Sequence, residues 1–106
     1  MAWIVIIIAG IFEVVWAAAM KQSDGFSRLV PSIVTLGAML VSFALLAYSM
    51  RSLPLGTAYM AWTGIGAIGA FVVGIIWFDE PLTVVRAFAA MLIVSGLVLL
   101  KSASAT

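Results

Sequence analysis

The sequence predicts an all-α integral membrane protein with four transmembrane helices per chain, and three observations predict it. Of 106 residues, 66% are hydrophobic and only 8% are charged, against about 25% charged in an ordinary soluble domain. Five basic and four acidic side chains are too few to coat a water-facing surface. The apolar residues fall into four stretches, each close to the roughly 20 residues that cross a hydrocarbon core of about 30 Å. The charges collect where those stretches end, with one exception, Glu13.

The first stretch covers about residues 2–20. Its Ala17-Ala18-Ala19 run has the small side chains of a signal-peptide cleavage site. However, no Lys or Arg precedes the apolar stretch and an acid sits inside it, so a retained span fits better than a leader. A polar loop follows through Lys21, Asp24, Gly25 and Arg28. The second stretch covers about 29–50, with Pro31 in its first turn, where a missing N–H breaks no helical hydrogen bond. A short loop from Arg51 to Gly56 leads to the third stretch, about 57–78, which Asp79, Glu80 and Pro81 end. The fourth covers about 82–100. Arg86 is near enough to its start to snorkel to the interface, and Lys101 closes it. Loops this short make neighbouring helices antiparallel, and residues 1–106 form a single transmembrane domain.

Composition also excludes classes of function. A net charge of +1 with no basic cluster argues against nucleic acid. There is no cysteine and no histidine, so disulfides, thiol catalysis and the usual soft metal ligands are absent. Most of the few carboxylates lie near helix ends, so no metal site is expected. No nucleophile–base pair and no cofactor motif is present, so neither an enzyme nor a bound cofactor is expected.

Topology follows from loop charge. Four spans put both termini and the Arg51 loop on one side, with Arg51 and Lys101. The other side carries Lys21, Arg28 and Arg86. Such an even division gives the positive-inside rule little to act on. Insertion in both orientations is therefore expected, unless one orientation wins for reasons that loop charge does not record.

Glu13 is the residue to explain. At 1.5 Å per residue it lies roughly 18 Å along its helix, near the midplane. A charge at that depth costs at least a few kcal/mol (roughly 2.5 or more) on insertion scales, so it is expected to face a cavity and to hold a proton or a cation. The bland alternative is a permanently protonated acid hydrogen-bonded between helices. Its neighbours one turn away are Ala9, Gly10, Trp16 and Ala17. The small ones leave room beside the carboxylate, and Trp16 adds a π face and an N–H donor. Trp16 is about one turn too deep for an interfacial belt residue.

The other stretches complete the picture. The second has a small or hydroxyl stripe of Thr35, Ala38, Ser42 and Ser49. Ser42 lies near its middle, placed to bond either the Glu13 carboxylate or its own helix backbone at i−4. The third carries Tyr59, Trp62, Thr63, Gly66 and Ala70 at helical spacing; such an aromatic stripe is usually core packing, but in a bundle with a buried acid it also suits a cation box. Its glycines, Gly64, Gly66 and Gly69, mean either a hinge or close packing. On the fourth, Ala89 and Gly96 form a helix-contact edge, expected between chains rather than within one.

One chain offers one carboxylate and a thin wall, whereas many transporters place their site between two inverted repeats. An antiparallel homodimer would supply the second repeat and bring two Glu13 side chains together near the midplane. Two such acids repel when both are ionised. Either protons or one cation can satisfy them, and alternation between two open states then gives proton-coupled antiport.

The same residues resemble the small multidrug resistance family along the whole chain. The resemblance rests on Glu13, the Gly25-Phe26-Ser27-Arg28-Leu29 loop, Ser42-Phe43, and Pro54-Leu55-Gly56-Thr57-Ala58-Tyr59 running into Ala61-Trp62-Thr63-Gly64-Ile65-Gly66. Within that family, Gly10-Ile11-Phe12-Glu13-Val14-Val15-Trp16 is similar to the guanidinium-exporting branch; the branch exporting larger quaternary ammonium ions typically has a small residue where Trp16 stands. The resemblance implies an antiparallel, dual-topology homodimer in the bacterial inner membrane that exchanges guanidinium for protons. It implies that Glu13 binds both and that Trp16, Ser42, Tyr59 and Trp62 line the pocket and order the carboxylates; from their helix faces, Gly10 and Thr63 are expected as small lining residues. A broader quaternary ammonium exporter, and a non-transporting bundle or passive channel, are the competing expectations.

Overall fold

A computed structural model describes residues 1–103. Its elements are α1 (Ala2–Gln22), α2 (Leu29–Ser49), α3 (Leu55–Trp77) and α4 (Val84–Ala103), with no strand among the described residues. All four are long and apolar enough to cross a membrane.

The helix boundaries match the expected ones or differ by one to three residues, and the two shifted starts have local causes. α3 begins two residues before the expected Thr57 because Pro54 takes the N-cap position at φ −59° and its carbonyl accepts from the Ala58 N–H at 3.0 Å. α4 begins later, at Val84, because Thr83 caps it. The Arg86 N–H donates to Thr83 Oγ1 at 3.1 Å, which satisfies one of the orphan donors of the first turn.

The loops are held by specific bonds. In the α1–α2 loop, fully buried Ser23 donates its hydroxyl proton to the Met20 carbonyl at 2.7 Å and accepts from the Phe26 N–H at 3.0 Å. The chain then turns through three successive left-handed residues, Asp24, Gly25 and Phe26. Glycine is the one of these that adopts this region without steric cost. In the α3–α4 loop, the Phe78 and Glu80 N–H groups both donate to the Gly74 carbonyl at 3.1 Å.

α1 is the central helix and packs on both α2 and α3, while α4 lies along α3. Side chains at the end of α4 also reach α1, where the Lys101 ammonium stands 5.4 Å above the Trp3 ring. The core is Ile6, Ala9, Leu46, Leu53, Ala58, Ala61 and Trp62. Its alanines let three backbones approach closely, the usual way helices associate in lipid. The expected stripe on α2 is its buried face: Thr35, Ala38, Ser42 and Ser49, together with Leu46. No residue of α4 is buried. The chain is a slab 43 × 35 × 16 Å, little thicker than the roughly 10–12 Å diameter of one helix.

Candidate functional site

Glu13 points from α1 onto a glycine of α3. A Cβ added at Gly66 would run into the Glu13 side chain at Oε1, Cδ and Cγ, so only glycine leaves the carboxylate its place. Glu13 Oε1 is buried without a hydrogen-bond partner, and so is the indole Nε1 of Trp16, one turn further along α1. Trp3 Nε1, at the start of α1, is in the same condition. Buried polar atoms without partners are uncommon in folded proteins. An acceptor and a donor one turn apart, at the depth of the bilayer, mark a place suited to a small polar ligand.

Ser42 stands at the centre of the surrounding network. It is fully buried and bonds neither of the groups expected from sequence. Its hydroxyl donates across the helix interface to the Ala9 carbonyl at 2.8 Å and accepts from Trp62 Nε1 at 2.9 Å. The small Ala9 side chain exposes that carbonyl to α2. Thr35 and Ser49, by contrast, do bond their own helix, at the Pro31 and Leu46 carbonyls, both at 2.7 Å. Ser42 thus ties α1, α2 and α3 together one turn before Glu13.

The aromatic side chains form an arc around this point. Phe43 meets Trp16 edge-on at 6.3 Å between centroids and Trp62 at 5.7 Å. Tyr59 lies tilted against Trp62 at 5.6 Å. Phe43 and Tyr59 are about half exposed, at 46% and 52%, so the arc opens onto the surface of the slab. Phe43 enters the sequence reading only within the Ser42-Phe43 motif and is the member not expected there as a lining residue. The available signal was its place directly after Ser42, on a helix whose hydroxyl stripe faces the core.

Several expected site residues fall elsewhere. The single α3 face expected from Tyr59 to Ala70 divides in two. Trp62 and Gly66 turn toward α1, while exposed Thr63 lines a groove with Tyr59, Met60, Gly64, Ala67 and Ile93 against α4. At about 100° per residue, neighbours in that run cannot share one helix face. Gly10 serves a helix crossing: a Cβ there would meet Ile65 Cγ2 at 2.5 Å and the Gly66 backbone nitrogen at 3.7 Å. Gly64, expected as a hinge, packs against Leu97, whose Cδ2 would lie 2.8 Å from an added Cβ. α3 runs unbroken through Gly64 and Gly66, so both glycines are close-packing positions in this conformation. Ala89 and Gly96 are exposed on α4, and an added Cβ at Gly96 would meet nothing within 4 Å. Among the described residues, no three potential metal ligands cluster.

Replacing Ser42 with Ala is expected to leave the buried Trp62 N–H without an acceptor. Such losses cost about 1–3 kcal/mol in soluble proteins and about 1 in membranes. Denaturant titration in micelles should show that loss. Ser42→Thr, which keeps a hydroxyl, should recover part of it.

Four helices able to span a bilayer, with an ionisable side chain at mid-depth and an aromatic surround, define a multi-pass membrane protein whose chemistry lies within the lipid. The family described as Small Multidrug Resistance protein matches residues 1–93, and the chain belongs to that family. It is 54% identical over 104 residues to the guanidinium exporter of Yersinia pseudotuberculosis serotype I (strain IP32953), covering 98% of this chain and 100% of that one. It is 54% identical over 101 residues to the guanidinium exporter of Escherichia coli (strain K12), and 52% identical over 101 residues to that of Citrobacter freundii, in both cases covering 95% of this chain and 96% of the relative. Spans and family together make it a multi-pass protein of the bacterial inner membrane.

Proposed function

We propose that the chain is a proton-coupled antiporter that exports guanidinium, working as an antiparallel, dual-topology homodimer. The observation that carries the proposal is the unpartnered pair on α1, Glu13 Oε1 and Trp16 Nε1, buried at mid-membrane. The relatives named guanidinium exporters supply the substrate class. Guanidinium is planar and pairs with a carboxylate through two parallel N–H bonds. Its faces suit the indole and phenyl rings of Trp16, Phe43 and Trp62. The Ser42 node sets the backbone of α1 one turn from the carboxylate.

A second copy completes the site. One chain supplies one Glu13 and a slab 16 Å thin, and half-exposed Tyr59 and Phe43 face outward. α4 has no buried residue, which leaves its Ala89 and Gly96 edge for a helix of the other copy. Near-even loop charges permit the two copies to insert oppositely. Protons and guanidinium then compete for the same carboxylates, and bending of α3 about its glycines would open the site to either side in turn.

The test is guanidinium-driven proton movement in sealed proteoliposomes. Adding guanidinium outside should release protons from the lumen, and bulky quaternary ammonium ions should release few. Lowering the pH should raise the guanidinium concentration needed for half-maximal exchange, by up to about tenfold per unit for each proton that one cation displaces, since only the deprotonated site takes the cation. Proton release by bulky aromatic cations alone would favour the broader exporter. Cation flux without proton counterflow would indicate a channel.

A further inference from the structure

A second acid, Glu80, lines a cleft between the two helices that hold Glu13 and Gly66. Between α1 and α3 a cleft of about 130 Å³ is lined by Val14, Ala17, Lys21, Ala70, Gly74 and Glu80, among others. Its volume is several times the roughly 30 Å³ share of one liquid water. Val14 and Ala17 lie within one turn of Glu13 along α1, and Ala70 one turn from Gly66 along α3, so the cleft ends about one turn short of the carboxylate, where Val14 packs against Gly69. Lys21 and Glu80 lie at its outer end, about two turns or 12 Å along α1 from Glu13.

Glu80 is held over this mouth by three contacts. Its N–H bonds the Gly74 carbonyl at 3.1 Å. Its carboxylate fills the space where Gly74 has no side chain: an added Cβ would meet Glu80 Oε1 and lie 2.8 Å from Cδ. Arg86 Nη2 donates to Glu80 Oε1 at 3.3 Å, with the guanidinium 5.7 Å above the Phe71 ring. That last contact is the informative one. A guanidinium group stands on a carboxylate and over an aromatic ring at the mouth of a cleft whose inner wall, Val14, is the residue next to Glu13. The Arg86 contact is single and long compared with the roughly 2.7–2.9 Å of a charge-assisted bond. Both side chains are well exposed, at 38% and 41%, and pairs of this kind are weak and exchangeable. Among the described residues, Lys21 makes no ion pair with Glu80 across the cleft, and Asp79 lies next in the chain with a left-handed backbone.

We infer that Glu80 is a docking carboxylate for guanidinium at the mouth of this cleft, and that the substrate reaches it by displacing the guanidinium of Arg86. The inference rests on the guanidinium-exporter reading and names an access step for the same site. Arg86 competes with the substrate for Glu80, so the two residues have opposite effects on uptake at low concentration. The packing at Gly74 holds the carboxylate in place.

The experiment is guanidinium-driven proton movement in proteoliposomes of the full chain, with guanidinium varied. Four variants are compared with the wild type: Glu80→Gln, Arg86→Gln, the double change, and Gly74→Ala, which shifts the Glu80 carboxylate without altering charge. Glu80→Gln should raise the half-maximal concentration roughly threefold and Arg86→Gln should lower it roughly threefold, the scale of an exposed ion pair. The double variant should match Glu80→Gln, because Arg86 acts only through Glu80. Gly74→Ala should also raise it. If both single changes shift the value in the same direction, the pair is structural and the inference fails. If the double variant returns to the wild-type value while Gly74→Ala has no effect, only long-range charge is at work and the inference fails. A wild type silent toward guanidinium would overturn the exporter reading and this inference together, whereas an active wild type with indifferent variants would overturn the docking role alone.

Discussion

Glu13→Gln should lose at least about thirtyfold of guanidinium-driven proton exchange while keeping the four-helix fold. Gln has nearly the volume of Glu and keeps its polarity, so the contact with Gly66 persists. It carries neither the negative charge that would pair with guanidinium nor the exchangeable proton. Removing one partner of a buried charge pair costs about 2–5 kcal/mol, which is roughly thirtyfold to several thousandfold in an equilibrium constant. The folded state should not suffer, because a neutral amide is easier to hold at the bilayer midplane than a carboxylate. Exchange assays paired with size-exclusion profiles and thermal melts in the same detergent separate the two effects. Loss of the folded protein together with exchange would make Glu13 a structural residue, and exchange persisting in the variant would remove it from the site.

The second large effect is expected at Gly66. A methyl group there collides with Glu13 Oε1, Cδ and Cγ together, so the carboxylate cannot avoid it by turning its end and must leave its position. Gly66→Ala should therefore weaken guanidinium binding by at least about tenfold. Stability should fall by less than the roughly 1–3 kcal/mol typical of overpacking, because the obstructed group is a side chain with several rotatable bonds. Gly10→Ala provides the contrast. Its methyl meets Ile65 at Cγ2 and Cβ, a β-branched side chain with little freedom at χ1, so the α1–α3 crossing itself must open. Binding titrations and denaturation of both variants should show Gly66→Ala failing mainly in binding and Gly10→Ala mainly in stability. The reverse pattern would disprove this assignment of the two glycines.

Much of the architecture was legible because lipid imposes a simple rule: long apolar stretches, broken only by loops, become helices. Glu13 stood out for the same reason, as the one charge far from any loop. The α2 stripe was legible as well, since Thr35, Ala38, Ser42 and Ser49 share a helical face whichever helix covers it. What could not be read was which atoms meet. The sequence position of Ser42 suits a bond to a carboxylate or to its own backbone, yet it bonds a carbonyl of α1 because Ala9 leaves that carbonyl uncovered, a fact about the crossing and not about either helix alone. Thr63 shares the helical run with Trp62, but one residue of helical rotation turns it toward α4. The α4 start at Val84 had a local signal in Thr83, a capping residue, which the apolar run around it obscured.

The Ser42 node has a mechanical consequence. The Trp62 indole on α3, the Ser42 hydroxyl on α2 and the Ala9 carbonyl on α1 form one chain of bonds, 2.9 and 2.8 Å long. If α3 tilts as a rigid rod, its indole either drags α2 along or lets go of the hydroxyl, because a bond of this kind weakens steeply once stretched or bent. The Ala9 carbonyl is also the acceptor that an α-helix assigns to the N–H of Glu13, four residues on. A pull at the indole is thus felt in the backbone that carries the acid. The three helices behave as a latch with one shared pin: motion that keeps the pin must move them in concert, and motion that withdraws it frees α3 from its neighbours at a single point.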